Sequence, residues 1–343
     1  MSCLSIFNAA EVFSYFTFPS TFIVNSLLIY LTIFHTKKIH KTYKLLIIIF
    51  AAYFILFSFL ESIINPFTHS YNYGYIFFTF HKGYEAYINM QKILMVVYIS
   101  VFNSVNSFFC VLFIYRYWAL IKSKYLSLFN GRNILIWVAY SQICGISSIF
   151  LNYTLCDSDQ YTIDYFQDII PKRYNISSDQ IAGFPVIVYE PCDKELCIRW
   201  KGVAYIGFTT LILQISATIV TYCAYTMHKK MNQMLMQCSK SNQRLQRQFF
   251  KALMLQCTAP LFTFFIPVTA LFTLVFTGLE YDFPTGVIFS SFGIYPAIDS
   301  IILMTVVQEY RKALKLILYP SKRKQQEVAV VSTETAETAE TTM

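Results

Sequence analysis

The chain has 343 residues, 56% of them apolar and only 13% charged, with a mean hydropathy of +0.48 and a formal net charge of +8. A soluble domain has about 25% charged residues, so an ordinary globular protein is excluded. No Walker loop, His-Glu-x-x-His or Gly-x-Ser-x-Gly pattern occurs and the five histidines have no metal-ligand spacing, so no enzyme, cofactor or metal site is expected.

A helix crosses a bilayer core with about 20 mainly apolar residues. After a short N-terminal segment, 1–11, seven runs meet that requirement: 12–34, 45–64, 93–113, 134–151, 202–225, 252–276 and 286–307. They lack the period-2 alternation of a barrel strand, and unpaired backbone is costly in lipid, so the fold class is all-α, a seven-transmembrane helix bundle. The membrane-spanning domain covers 12–307. Residues 308–320, with Tyr310, Ala313, Leu314, Ile317 and Leu318 opposite Arg311, Lys312 and Lys315, read as an amphipathic helix on membrane lipid. Residues 321–343 read as a disordered cytoplasmic tail.

Basic residues orient the bundle, because Lys and Arg are retained on the cytoplasmic side. Lys37, Lys38, Lys41 and Lys44 follow the first span, and Arg116, Lys122, Lys124 and Arg132 follow the third. Six more lie between the fifth and sixth, and another six follow the seventh, out of 27 in all. The segment 153–201 is instead rich in Asp and Glu. The N-terminus is therefore expected outside and the C-terminus inside, and the positive charge marks topology with no nucleic-acid partner. Two sequons, at Asn152 and Asn175, fall in the long outer loop, and Asn175 is the better glycosylation acceptor because Asn152 abuts the fourth span. That loop also holds Cys156, Cys192 and Cys197. One disulfide is expected, with Cys156 joined to Cys192 or Cys197 favoured.

Ionisable groups within spans mark function, because they are costly in hydrocarbon unless they face the interior or water. Asp299 in the seventh span is expected to join Asn25, Asn103 and Asn106 in an intramembrane polar network, against the alternative of a hydrogen bond serving packing alone. Glu61 either lines a ligand cavity or snorkels to the outer interface. Further ligand contacts are expected at Tyr98, Phe102, Phe272 and Phe289, although most aromatic side chains serve packing. Pro260, Pro267 and Pro296 are expected to bend their helices. Arg116, Arg244, Arg247 and Lys251 are the candidate coupling surface, with a snorkelling anchor as the alternative for Arg116.

Six motifs stand in order along the chain: Tyr43-Lys44-Leu45-Leu46; Asn65-Pro66-Phe67; Tyr115-Arg116-Tyr117-Trp118-Ala119-Leu120; Leu245 to Leu253 leading into Gln256 and Pro260; Tyr295-Pro296-Ala297-Ile298-Asp299; and Tyr310-Arg311. Their order and spacing resemble the nematode seven-transmembrane chemoreceptors of the Str type, from the first span through the helix after the seventh. The resemblance implies a G protein-coupled receptor in the plasma membrane of sensory cilia, with a small environmental molecule as ligand and a heterotrimeric G protein as partner. The sequence departs from the wider rhodopsin-like pattern, since no acid precedes Arg116 and no cysteine stands near Gln91 or Lys92. The rival reading is a ligand-gated channel or transporter subunit, but the halves show no internal similarity.

Overall fold

The computed structural model describes residues 2–79, 87–156, 159–176, 181–192, 195–236, 239–277, 279 and 281–318. The tail beyond 318 lies outside the described residues. Six helical stretches among them are long and apolar enough to cross a bilayer. The first five are α1 (Cys3–Phe34), α2 (Lys41–Ile64), α3 (Ile88–Ile121), α4 (Ile134–Leu155) and, after two short helices, α7 (Trp200–Leu235). The sixth combines α10 (Gly286–Phe292) with α11 (Tyr295–Val306) across a break at Gly293 and Ile294.

The run expected at 252–276 is helical but interrupted. It comprises α8 (Lys240–Pro260), a π-helical turn (Leu261–Phe265) and α9 (Ile266–Leu274). Pro260 explains the interruption, because its ring nitrogen cannot donate the intrahelical bond its position requires, whereas Pro267 stands in the first turn of α9. Pro296 likewise stands in the first turn of α11, where no donor is missed.

The central helix is α3, which packs on α2, α4 and α7, while α1 packs on α2 and α11 and α8 packs on α11. The α3–α4 approach is set by Gly145, where an added Cβ would lie 2.2 Å from Ser104 Oγ and 2.6 Å from the Ser100 carbonyl. Finally, α12 (Gln308–Leu318) turns away after α11 and buries Tyr310 and Ala313. Its Tyr310 hydroxyl lies 2.8 Å from Thr32 Oγ1 on α1.

Two features differ from the all-helical expectation. Residues 3–11 extend α1 beyond the expected span, started by the Ser2 side chain accepting from the Ser5 amide. Loop residues build a four-stranded antiparallel sheet in the order β3-β2-β1-β6: Ala182–Ile187, Gly74–Thr79, Phe67–Tyr71 and Asp282–Phe283. Register places Phe67 opposite Phe78 and Phe77 opposite Phe184. Asn72 at the β1–β2 turn has φ 43°, donates to the Tyr281 carbonyl at 2.9 Å and accepts from the Tyr281 amide at 3.0 Å.

The outer face of the sheet is packed by Phe7 of α1 and by Phe166, Ile170 and Tyr174, from α5 (Gln160–Gln167) and α6 (Ile169–Tyr174). Phe7 meets Phe67 edge-on at 5.2 Å. His69 is wholly buried, with Nδ1 3.0 Å from the Tyr174 hydroxyl and Nε2 3.0 Å from Asp282, which also pairs with Arg173. Burial lowers the His69 pKa below the ordinary imidazole value, opposed by the nearby Asp282 carboxylate.

The disulfide expectation is corrected. Cys192 and Cys197 are joined across the hairpin β4 (Tyr189–Cys192) and β5 (Glu195–Ile198), whose register brings their Cα atoms to 5.8 Å. Cys156 is a free thiol buried at the end of α4. A short hairpin closes more readily than a loop spanning α5 and α6.

Candidate functional site

Under the sheet lies a cavity of about 90 Å³. It brings together four of the five expected ligand residues: Tyr98 and Phe102 from α3, Phe272 from α9 and Phe289 from α10. Its roof is Tyr75 and Phe77 of β2 with Phe184 and Val186 of β3. The roof is ring-packed on the walls, Tyr75 stacking on Phe272 at 5.7 Å and Phe77 on Tyr98 at 6.4 Å. A few polar groups interrupt the apolar lining, notably Thr68, Asn103, Asn152, Tyr205 and Thr209. The Tyr205 hydroxyl donates to Asn152 Oδ1 at 3.3 Å.

Asn152 is only 1% exposed, so this sequon asparagine faces the protein interior, whereas Asn175 is exposed at the end of α6 with φ 54°. The roof residues were missed because strands this short, in loops, leave no helical or long alternating pattern to read. A groove of about 1040 Å³ separates α7 from α8 and α9 and shares Leu213, Val268 and Phe272 with the cavity wall.

Glu61 does not reach this cavity. It is 4% exposed and lines a separate small void near Ser14, Asn65 and Ser290. Its position near the end of α2 turns it toward Gly293 at the α10–α11 break, so it neither snorkels nor joins Tyr98 and Phe102 at the cavity.

The expected polar network divides in two. Asn25 donates to the Thr21 carbonyl at 2.9 Å and accepts from Ser300 Oγ at 2.7 Å. Asp299 accepts from Gln256 Nε2 at 2.7 Å and from the Tyr295 hydroxyl at 2.9 Å. Asn103 instead donates to Ser148 of α4 at 2.8 Å, and Asn106 lines the groove. Spacing places Asn103 and Asn106 near one another on α3, but its neighbours, α4 and α7, claim them before α11 can. Tyr295 precedes Asp299 by one helical turn, an i, i+4 relation already present in the Tyr295-Pro296-Ala297-Ile298-Asp299 motif.

At the opposite, basic end, Arg116 is 6% exposed and does not snorkel. Its guanidinium carbon sits 3.4 Å from the Tyr43 ring centroid and 3.8 Å from that of Phe249. Nη1 donates to Gln246 at 3.1 Å. Tyr43 belongs to α2 and both Phe249 and Gln246 to α8, so one arginine joins three helices. Beside it, a cleft of about 380 Å³ is lined by Lys38, Lys240, Arg244 and Lys312, with Glu309 as its one acid. Arg247 and Lys251 lie exposed on α8.

An apolar, aromatic cavity thus lies at one end of a helical membrane bundle, and an arginine clasp with a basic cleft lies at the other. The family model described as "Serpentine type 7TM GPCR chemoreceptor Str" matches residues 10–315. The chain belongs to the Str family of serpentine chemoreceptors, which are receptors and not enzymes. It is 37% identical over 302 residues to the Caenorhabditis elegans "G-protein coupled receptor str-33", covering 87% of this chain and 88% of that protein. It is also 26% identical over 296 residues to the C. elegans "Serpentine receptor class r-10", covering 86% of each. A third relative, C. elegans "G-protein coupled receptor str-217", is 24% identical over 306 residues and 88% of each chain.

Proposed function

We propose that this multi-pass receptor binds a small, largely apolar environmental molecule beneath the sheet, and that occupancy loosens the Arg116 clasp so that a heterotrimeric G protein α subunit docks at the basic end. The observation that carries this reading is a contiguous series of contacts between the two ends. Phe292 lines the cavity and stacks on Tyr295 at 5.0 Å. Tyr295 bonds Asp299, Asp299 accepts from Gln256 of α8, and the same helix supplies the Phe249 and Gln246 that hold Arg116. A ligand shifts such an equilibrium only by binding its two states unequally, and a cavity this small distinguishes modest displacements of its aromatic walls.

In this reading the basic end is cytoplasmic, Arg244, Arg247 and Lys251 face the G protein, α12 lies against anionic lipid, and the receptor resides in the plasma membrane of a sensory cilium. The basic loops and cleft support that orientation.

A calcium-imaging screen of volatile and lipid-soluble compounds supplies an agonist. Thr209→Phe, which fills most of the cavity, then raises the half-maximal concentration at least about tenfold, a typical effect of steric change in an apolar pocket. G protein inhibition abolishes the response. An unchanged midpoint at matched surface expression removes the cavity assignment, and a ligand-gated current that survives G protein inhibition supports a channel instead.

A further inference from the structure

The Glu61 carboxylate is buried within the span region, and its Oε2 has no hydrogen-bond partner. Among the described residues no Lys, Arg or His forms an ion pair with it. An isolated carboxylate in such a place is costly unless something neutralises it. Gly293 lets it approach the α10–α11 break, because a Cβ at that position would lie 2.5 Å from Oε1.

Glu61 shares its void, about 10 Å³, with Ser14, Asn65 and Ser290, and Glu11 stands at the rim. That is about the space for one water-sized particle. The void is lined by several side-chain oxygens. Ser14 has one hydroxyl proton but two oxygen neighbours, the Glu11 carbonyl at 2.8 Å and Asn65 Oδ1. Ser290 donates its proton to the Gly286 carbonyl at 3.0 Å, which leaves its lone pairs available.

We propose that this void binds one sodium-sized monovalent cation, held by the Glu61 carboxylate with the Ser14, Asn65 and Ser290 side-chain oxygens. Hard cations take all-oxygen donor sets, and a single carboxylate matches a single positive charge. Among the described residues there is no group of three His, Cys, Asp or Glu side chains, the arrangement a transition metal would require. Glu11 is half-buried at the rim and adds a second negative charge that draws cations toward the site. The bound ion joins α1, α2 and α10, and so holds the outer half of the seventh span against the first two.

The test uses the purified full-length receptor in lipid nanodiscs, with thermal midpoints compared in sodium chloride and choline chloride at equal ionic strength. Sodium is expected to raise the wild-type midpoint by about 2 °C, the shift for an ion present about tenfold above its dissociation constant. Glu61→Gln is expected to lose this difference. Ser290→Ala keeps the carboxylate and is expected to move the sodium titration to higher concentration. It decides the matter should Glu61→Gln not fold, an unmoved titration then overturning the site. Equal wild-type midpoints in the two salts, or a sodium effect that persists in Glu61→Gln, also overturn it. A midpoint that follows pH through Glu61 but ignores sodium assigns a proton in place of the cation.

Discussion

Replacing Phe249 by leucine removes one of the two rings that enclose Arg116 while keeping an apolar side chain on α8. A desolvated cation–π contact contributes about 2 kcal/mol, and the Arg116 guanidinium lies 3.8 Å from the Phe249 centroid at a site only 6% exposed. Part of that interaction is recovered by the remaining Tyr43 ring at 3.4 Å and the Gln246 bond at 3.1 Å, so the clasp is expected to weaken by about 1.4 kcal/mol. A change of that size multiplies the released population about tenfold. Basal G protein signalling in the absence of ligand should rise in proportion, measured by calcium reporter output normalised to surface receptor. Arg116→Ala should abolish signalling at the same surface level, because in the proposed coupling the released guanidinium is the group the partner meets. Unchanged basal output in Phe249→Leu, together with an unchanged maximum and midpoint in Arg116→Ala, would show that Arg116 is only a packing residue.

The sheet should respond to pH through His69. Its folded pKa is depressed by burial, so the stability it contributes is present above the unfolded value of about 6.5 and is lost as pH falls through the folded value. Hydrogen-exchange protection over β1 and β2, corrected for the intrinsic rate at each pH, should fall at acidic pH in the wild type but not in His69→Gln, and an equal fall in both refutes the role. Non-reducing peptide mapping should recover Cys192 linked to Cys197 and Cys156 as a free thiol. Closure of that short hairpin contributes about 2 kcal/mol by chain entropy, so Cys192→Ser should lower surface expression modestly, and a Cys156-containing disulfide would contradict the pairing. For topology, Asn175→Gln should remove the enzyme-sensitive glycan and Asn152→Gln should not, while a C-terminal epitope stained on intact cells would reverse the orientation.

Much of the bundle was legible because lipid imposes one rule on every span, and length with apolarity suffices to find them. Tyr98, Phe102, Phe272 and Phe289 could be placed at one depth by counting from the span ends, and the structure gathers them around one cavity. Glu61 failed by rotation and not by depth. Counting residues locates its turn on α2, but only packing against Gly293 decides which way the turn faces. The same limit separated Asn103 and Asn106 from Asp299. The sheet was illegible for a different reason, since β6 has two residues and pairs with β1 across most of the chain. No local pattern encodes such a pairing. Arg116 could be located at the basic end of its helix, yet its partners Tyr43 and Phe249 come from two other helices.

The strands that roof the cavity are drawn from residues 67–79, 182–187 and 282–283. Pairing over such separations is slow and waits on the segments between. During synthesis the β1–β2 hairpin is made after two spans, gains β3 only after two more, and receives its edge strand once α7, α8 and α9 have been made. A chain whose middle spans are inserted incorrectly therefore leaves the sheet edge open and the aromatic hollow unroofed. Closure of the sheet thus reports in one place that every crossing between its strands has been made in the right sense.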